Sequence, residues 1–221
     1  MAREFDNREH AGRELAALLA RHPAAQREGL LVLALPRGGV PVAAVIADEL
    51  AAPLDVLVVR KLGVPHQPEV AMGAIASLAG TRITVTNADV VKHLGPRADQ
   101  DLATVTQRES EELLRRESLY RADRPPLDVT GRPILLVDDG VATGATIKAV
   151  IEALRVAGAA SVAVAVPVAP ADTLTELAEL ADDVVCVSVP DPFWAVGQAY
   201  TDFRQTSDDD VVALLAEARE R

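Results

Sequence analysis

The stretch spanning residues 134–154 constrains the fold more than any other part of the sequence. Four apolar residues, 134–137, are followed by two adjacent carboxylates, Asp138 and Asp139. A loop of small and hydroxyl-bearing residues comes next and ends at Thr146. Beyond it, apolar residues recur at helical spacing, at Ile147, Val150, Ile151 and Leu154. The pattern predicts a buried strand, an acidic pair, a short loop and a helix.

The chemistry of this arrangement suits a phosphorylated sugar. A loop that joins a strand to a helix N-terminus directs backbone N–H groups and the positive end of the helix dipole toward one point, where a phosphate is stabilised. Two carboxylates at the end of the strand can accept hydrogen bonds from a pair of neighbouring hydroxyls. The sequence therefore predicts a pocket for a sugar phosphate with a vicinal diol.

The run from Val137 through Thr146 resembles the ribose-5-phosphate motif of the type I phosphoribosyltransferases. It differs from the nucleotide P-loop because no lysine follows Gly144 within the loop. The resemblance implies that Asp138 and Asp139 are catalytic and hold the 2- and 3-hydroxyls of the ribose. It also implies that the 5-phosphate is bound by Ala142, Thr143, Gly144, Ala145 and Thr146.

A second strand-to-loop junction follows the apolar run 30–35 and contains Arg37, Gly38 and Gly39. Two glycines after a strand allow close approach of a ligand to the backbone, and Arg37 brings a positive charge to the same place. A tight turn with an incidental arginine is the alternative. In the resembled family this position holds the diphosphate-binding loop, which assigns that role to these three residues.

A third junction is predicted where a strand at 55–59 meets Arg60 and Lys61. Cations at the carboxyl end of a parallel strand face the edge where ligands bind in open sheets, and adenine-type phosphoribosyltransferases are similar here. Residues 62–69 are predicted to form a mobile loop. The resemblance makes Arg60, Lys61 and His66 catalytic candidates that act on the leaving diphosphate. For His66, an exposed histidine without a role is the alternative.

The rest of the chain alternates apolar strands with amphipathic helices. This pattern predicts an α/β, doubly wound, mainly parallel central sheet flanked by helices. By resemblance, the terminal segments add a small hood. We expect a single domain over residues 1–221, with a core at about 27–190, a hood at about 190–206 and an N-terminal helix at about 6–21. Asp6 and Glu9 resemble a capping box for that helix.

The predicted hood holds four of the six aromatic residues of the chain. The segment 193–203 is similar to the hood of the 6-oxopurine phosphoribosyltransferases. By that resemblance Trp194 or Phe193 stacks on the base, and the backbone of Ala195 contacts the base edge. The alternative is an aromatic cluster that packs the segment onto the sheet.

Two features depart from the resembled pattern. The 6-oxopurine enzymes carry an aspartate acid/base where this chain has Ala142, which weakens an assignment to hypoxanthine or guanine. A long predicted helix, residues 98–120, lengthens the segment before the ribose motif. Its mixed charges at helical spacing are typical of a solvated face.

Composition excludes several functional classes. The net charge of −11 disfavours nucleic-acid binding, which depends on a basic surface. The lone cysteine, Cys186, fits a reducing cytoplasm. No uncharged apolar run reaches the roughly 18 residues needed to span a membrane. The four histidines show no metal-ligand spacing. We expect a soluble cytoplasmic protein.

The resemblance implies transfer of phosphoribosyl from 5-phosphoribosyl-1-diphosphate (PRPP) to a nitrogenous base, with a purine as one candidate, in nucleotide salvage. Mg²⁺ is expected on substrate oxygens and water, near Asp138 and Asp139 but without a metal site made of protein side chains alone. The expected partners are PRPP, a nucleobase-like acceptor and a second copy of the chain as a homodimer, without nucleic acid or membrane. A PRPP- or nucleotide-binding regulator without turnover, and a hydrolase, are the alternatives.

Overall fold

A five-stranded parallel sheet forms the centre of the structure, a computed structural model that describes residues 5–95, 98–121 and 124–219, without the side chains of residues 68 and 69. Its strands are β1 (Leu31–Ala34), β2 (Leu54–Val56), β6 (Pro133–Val137), β7 (Ser161–Val168) and β8 (Asp183–Ser188), in the spatial order β2-β1-β6-β7-β8. A separate antiparallel sheet consists of β3 (Val59–Val64), β4 (Gln67–Leu78) and β5 (Thr81–Thr86).

Helices cover both faces of the parallel sheet. They are α1 (Arg8–Leu19), α2 (Gly39–Glu49), α3 (Ala88–His93), α4 (Ala98–Arg121), α5 (Ala145–Val156), α6 (Ala171–Ala178) and α7 (Asp208–Glu217). One apolar core joins α1, α2, α4 and α7 to one face, and a second joins α5 and α6 to the other. All eight residues of β7 are buried, as expected for a strand covered on both faces. The predicted fold class is confirmed.

The sheet reverses its winding between β1 and β6. These two strands are neighbours, yet the chain leaves β1 toward β2 and leaves β6 toward β7 and β8. Loops that follow two such strands diverge and open a crevice at the carboxyl edge of the sheet, which is where ligands bind in folds of this kind. The loops that follow β1 and β6 are two of the three junctions that the sequence singled out.

The predicted position of Arg60 and Lys61 is wrong. Strand β2 ends at Val56, and both cations lie inside β3 of the antiparallel sheet, opposite Ile75 and Ala74 of β4. The predicted strand 55–59 therefore covers the end of β2 and the first residue of β3, which lie in two different sheets. Residues 56–59 are apolar without a break, so nothing in the sequence indicates that the chain changes sheets there.

The predicted mobile loop at 62–69 is a β-hairpin in the structure. Leu62 and Val64 are buried on β3, and the chain turns at Pro65 and His66 before β4 begins at Gln67. His66 is exposed and has a left-handed φ of 66°. The side chains of residues 68 and 69, which the loop prediction also covered, lie outside the described residues.

Two helix predictions need refinement. Asn7, not Asp6, caps α1, because the Asn7 side chain accepts a hydrogen bond from the His10 amide at 2.9 Å. Helix α4 is present as predicted. Only some of its charged residues belong to a solvated face, because one glutamate is buried. Glu112 pairs with two arginines of the same helix. Glu109, in contrast, is buried and binds Arg60 of β3.

The predicted hood consists of segments from both ends of the chain. Phe5 and Tyr200 form a parallel bridge, and Phe5 exchanges backbone hydrogen bonds with Ala199 (2.6 Å) and Thr201 (2.8 Å). The ends of the predicted domain range, residues 1–4 and 220–221, lie outside the described residues. Within the part that is described, no helix combines the length and the apolar character that crossing a membrane requires.

Candidate active site

Two loops meet at the carboxyl edge of the central sheet. A Cβ atom built on Gly38 would lie 2.0 Å from Oδ2 of Asp139, and one built on Gly39 would lie 2.7 Å from the Val137 carbonyl and 2.9 Å from Cα of Asp138. Only glycine permits this approach. The predicted diphosphate loop and the predicted ribose-binding carboxylates are therefore in direct contact.

The acidic pair is electrostatically unusual. The Asp138 carboxylate accepts the Asp139 amide at 2.9 Å. Burial raises the pKa of Asp138 well above its ordinary value, and the adjacent charge of Asp139 adds to the shift. Burial also raises the pKa of Asp139, while the guanidinium of Arg8 opposes that shift. In the free protein the pair thus favours carrying less than two full negative charges.

The loop that follows the acidic pair packs closely against the hood, β7 and α6. Gly140 has φ 154°, and a Cβ built there would lie 2.4 Å from Val196 of the hood. The Val141 amide donates to the Val168 carbonyl at 2.9 Å, and the Ala142 carbonyl accepts from the Thr173 hydroxyl at 2.6 Å. These contacts hold the loop in a fixed shape above β7 and α6.

The far end of that loop presents a helix N-terminus. Gly144 precedes α5 with a left-handed φ of 71°, and the Lys148 amide donates to its carbonyl at 2.9 Å. Ala142 and Thr143 are exposed, and Ala145 and Thr146 are half-buried. The first N–H groups of a helix lack partners inside it. The predicted phosphate-binding residues therefore lie at a helix N-terminus, a position that favours an anion.

Arg37 in the first loop is oriented by a residue of α7. Its guanidinium lies 3.6 Å from Oδ1 of Asp208, which also accepts the Tyr120 hydroxyl at 2.5 Å and lies 3.7 Å, through Oδ2, from Arg115. Burial and the hydrogen bond to Asp208 raise the pKa of Tyr120 to about 12, so Tyr120 remains a donor at neutral pH. The Pro36–Arg37 peptide bond is cis.

The three remaining diphosphate candidates, Arg60, Lys61 and His66, lie on the β3–β4 hairpin of the antiparallel sheet. Arg60 makes a two-pronged contact with Glu109, with Nε at 2.8 Å and Nη2 at 2.6 Å from the same carboxylate oxygen. Lys61 is half-buried beside it on β3, and His66 is at the exposed tip of the hairpin. Their assigned role in catalysis stays a prediction.

The hood presents a highly exposed aromatic ring. Trp194 is 81% exposed, whereas Phe193 packs beside the cluster of Phe5, Val168 and Tyr200. The alternative of a packing role thus describes Phe193 and leaves Trp194 as the candidate that could stack on a base. The backbone amides of Trp194 and Ala195 donate to the Gln198 side chain at 2.7 and 3.4 Å.

The sequence did not single out two groups that hold Asp139. Arg8, the first residue of α1, donates from Nε to Oδ2 of Asp139 at 2.7 Å. The Tyr200 hydroxyl donates to the Asp139 carbonyl at 2.5 Å. One signal in the sequence could have indicated Arg8. A cation in the first turn of a helix is unfavourable beside the positive end of the helix dipole, and an anionic partner offsets that cost.

Among the described residues, no three His, Cys, Asp or Glu side chains are grouped in a way that could hold a metal ion. The carboxylates of Asp138 and Asp139 at the crevice are hard oxygen donors of the kind that Mg²⁺ accepts alongside substrate phosphates and water. The residues present therefore fit a substrate-bound Mg²⁺.

Comparison with known proteins agrees with this geometry. The model of the phosphoribosyl transferase domain matches residues 3–204. A protein of Mycobacterium tuberculosis that is named, provisionally, as a phosphoribosyl transferase is 49% identical over 216 residues. The match covers 97% of this chain and 47% of that protein, so the chain spans about half the length of this curated relative.

A solved structure is similar over almost the whole chain. The protein TT1426 from Thermus thermophilus shares 40% sequence identity, with 97% of this chain and 98% of that chain covered and a TM-score of 0.83. A segment of 96 residues, 43% of this chain, is 34% identical to a protein of Chloroflexus aurantiacus named bifunctional protein PyrR. The chain belongs to the phosphoribosyl transferase domain family.

Proposed function

We propose that this chain transfers the 5-phosphoribosyl group of PRPP to a ring nitrogen of a base and releases diphosphate. The observation that carries the proposal is the direct contact of Gly38 and Gly39 with Asp138 and Asp139. A diphosphate on the first loop and a ribose diol on the second would be adjacent, as they are in PRPP.

In this proposal each loop serves one part of the donor. Asp138 and Asp139 accept hydrogen bonds from the 2- and 3-hydroxyls. The amides and hydroxyls of residues 142–146 bind the 5-phosphate at the N-terminus of α5. Arg37 and the backbone of Gly38 and Gly39 bind the diphosphate, with Arg60 and Lys61 as further cations. Fixed charge and orientation of this kind supply much of the rate in such sites.

The reaction exchanges two bonds at the anomeric carbon. The bond to the diphosphate oxygen breaks and leaves its electron pair on that oxygen, while the lone pair of the base nitrogen forms the new bond from the opposite face. The nitrogen then loses its proton to solvent. Positive charge grows on the sugar in between, and the adjacent carboxylates stabilise it. Mg²⁺ bound to substrate oxygens would offset the charge of the diphosphate.

The acceptor class is proposed only as a nitrogenous base, with a purine as one candidate. Trp194 supplies a face on which any such base can stack. Ala142 stands where the 6-oxopurine enzymes of the resembled pattern have an aspartate, so general-base help from that position is absent. On the same proposal the protein acts in cytoplasmic nucleotide salvage, with a homodimer as its expected assembly.

Diphosphate release and calorimetry test the proposal together. PRPP with Mg²⁺ is titrated into the wild type, into the Asp138→Asn and Asp139→Asn variants, and into the control Asp128→Asn, an exposed aspartate that caps a turn at Thr130. We expect binding by the wild type and the control and a loss in the two site variants. Equal binding by all four proteins, or none by the wild type, contradicts the proposal.

A panel of nucleobases then separates the related functions. Release of diphosphate that depends on one added base supports transfer. Release at the same rate with and without a base indicates a hydrolase instead. Binding of PRPP with no release in any condition indicates the regulator.

A further inference from the structure

The arginine that begins α1 occupies an unfavourable position for a cation. Arg8 is the first helical residue, where the helix dipole repels positive charge. Its side chain is only 11% exposed, so it is also largely removed from water. An arginine so placed requires strong compensating contacts.

Three groups from distant parts of the chain supply those contacts. Nε donates to Oδ2 of Asp139 at 2.7 Å, and Nη1 donates to the Arg204 carbonyl at 2.7 Å. The guanidinium carbon lies 4.0 Å from the ring centroid of Phe203, within cation–π range. The guanidinium is thereby fixed on one face and at two of its nitrogens.

The same residues also fix the backbone of Asp139. The ring of Phe203 stacks on Tyr200 with centroids 4.9 Å apart, and the Tyr200 hydroxyl donates to the Asp139 carbonyl at 2.5 Å. Side chain and main chain of Asp139 are therefore held by one assembly. We call this assembly the Asp139 clamp and define it by Arg8, Tyr200 and Phe203.

The Asp139 clamp acts at the contact between the two loops. Oδ2 of Asp139, which accepts from Arg8, is the atom that a Cβ on Gly38 would approach to 2.0 Å, whereas Oδ1 would be 3.0 Å away. The hydrogen bond from Arg8 involves Oδ2, and Oδ1 takes no part in it. The clamp thus holds Oδ2 at the contact with the diphosphate loop and fixes the orientation of the carboxylate there.

We propose that Arg8 is a positioning residue of the sugar site, which holds the Asp139 carboxylate in the orientation that binds a ribose hydroxyl. This inference rests on the proposed function, since it assumes that Asp139 contacts the sugar. Arg8 acts through Asp139 and does not itself contact the diphosphate. The N-terminal helix is then a part of the donor site, in addition to the loops at the sheet edge.

The test compares two ligands that share the sugar but differ in the diphosphate. Ribose 5-phosphate and PRPP with Mg²⁺ are titrated into the wild type, Arg8→Ala and Arg13→Ala, an exposed arginine of the same helix. We expect Arg8→Ala to weaken both ligands by a similar factor, roughly tenfold or more, and the control to bind both normally. Unchanged affinity of Arg8→Ala for ribose 5-phosphate overturns the proposal, including when PRPP alone is weakened.

Two further measurements distinguish positioning from a purely structural role. Guanidinium ion at low millimolar concentration, far below denaturing levels, should partly restore ligand binding to Arg8→Ala and leave Arg13→Ala unaffected. In an Asp139→Asn background the Arg8→Ala change should have no further effect on affinity. Independent, additive effects of the two substitutions contradict action through Asp139.

If Arg8→Ala does not fold, Arg8→Lys carries the test. It keeps the charge but lacks the planar fork that bonds Asp139 and the Arg204 carbonyl together. We expect a folded protein with several-fold weaker binding of ribose 5-phosphate, and wild-type affinity would overturn the inference. A wild type that binds neither ligand contradicts the proposed function itself, so the two failures are distinguishable.

Discussion

The Gly38→Ala substitution tests the contact between the two loops directly. Gly38 has φ −60° and ψ −34°, which alanine adopts without strain. The added methyl group, however, would lie 2.0 Å from Oδ2, 2.5 Å from Cγ and 3.0 Å from Oδ1 of Asp139. The three nearest atoms all belong to one carboxylate, so the Asp139 side chain must shift to relieve the clash.

The expected cost of this clash is about 1 to 3 kcal/mol, as for other overpacked sites. If the displacement of Asp139 weakens the binding free energy of PRPP by this amount, the affinity for PRPP falls by roughly fivefold to 150-fold. Gly29→Ala is the matched control, because Gly29 has a left-handed φ of 75° and open space around its Cβ position. It should cost about 1 kcal/mol of stability through the backbone alone and leave binding intact.

Calorimetry with PRPP and Mg²⁺ and chemical denaturation measure the two quantities separately. In an Asp139→Ala background, which lacks the atoms of the clash, Gly38→Ala should no longer lower the free energy of unfolding. Wild-type affinity and stability in Gly38→Ala would refute the close packing of the two loops. A loss that persists in the Asp139→Ala background would refute the assignment of the clash to Asp139.

Three other predictions concern the acidic pair, helix α4 and the hood. The folded-state pKa of Asp138 is raised, so the contribution of this residue to stability is full below about pH 4 and is lost as pH rises through the folded pKa. Without ligand or Mg²⁺, Asp138→Asn should therefore melt at a higher temperature than the wild type at pH 7, by a margin that shrinks on acidification. An equal or lower melting temperature of the variant at pH 7 contradicts this. Glu109→Gln weakens the contact with Arg60 and should cost about 1 to 3 kcal/mol in urea denaturation, whereas truncation of Arg108, whose side chain is 74% exposed, should cost little; equal losses would argue against the Arg60 contact. Trp194→Ala should leave the unfolding free energy within about 0.5 kcal/mol and raise the KM for the accepting base by roughly fivefold or more, and an unchanged KM would exclude stacking.

Local patterns in the sequence predicted the centre of the site. The strand, acidic pair, loop and helix from β6 to α5 are contiguous in the chain, so hydrophobic periodicity and loop composition define them without tertiary information. The same holds for β1 and the Arg37 loop. Their mutual contact depends on the strand order, which the structure shows: the two strands lie side by side where the sheet reverses its winding.

Contacts between distant residues were beyond such patterns. Arg60 and Lys61 follow an apolar run that looks continuous, and only the pairing of β3 with β4 shows that the run changes sheets. Arg8 and Asp139 are 131 residues apart, and nothing local joins them. The contact of Asp208 with Arg37, two residues that are far apart in the chain, depends on where α7 packs.

The parallel bridge between Phe5 and Tyr200 has a consequence for the order of events during synthesis. Asp139 leaves the ribosome 61 residues before the tyrosine that holds its carbonyl, which at ordinary rates of elongation is an interval of about 3 to 12 s. Over that interval β1 and β6 can pair and bring Gly38 and Gly39 against the two carboxylates, while Arg8 lacks both Phe203 and the Arg204 carbonyl. In the nascent chain the sugar site is therefore incomplete until the hood residues Tyr200, Phe203 and Arg204 have been synthesised. We expect ligand affinity to be acquired among the latest steps of folding.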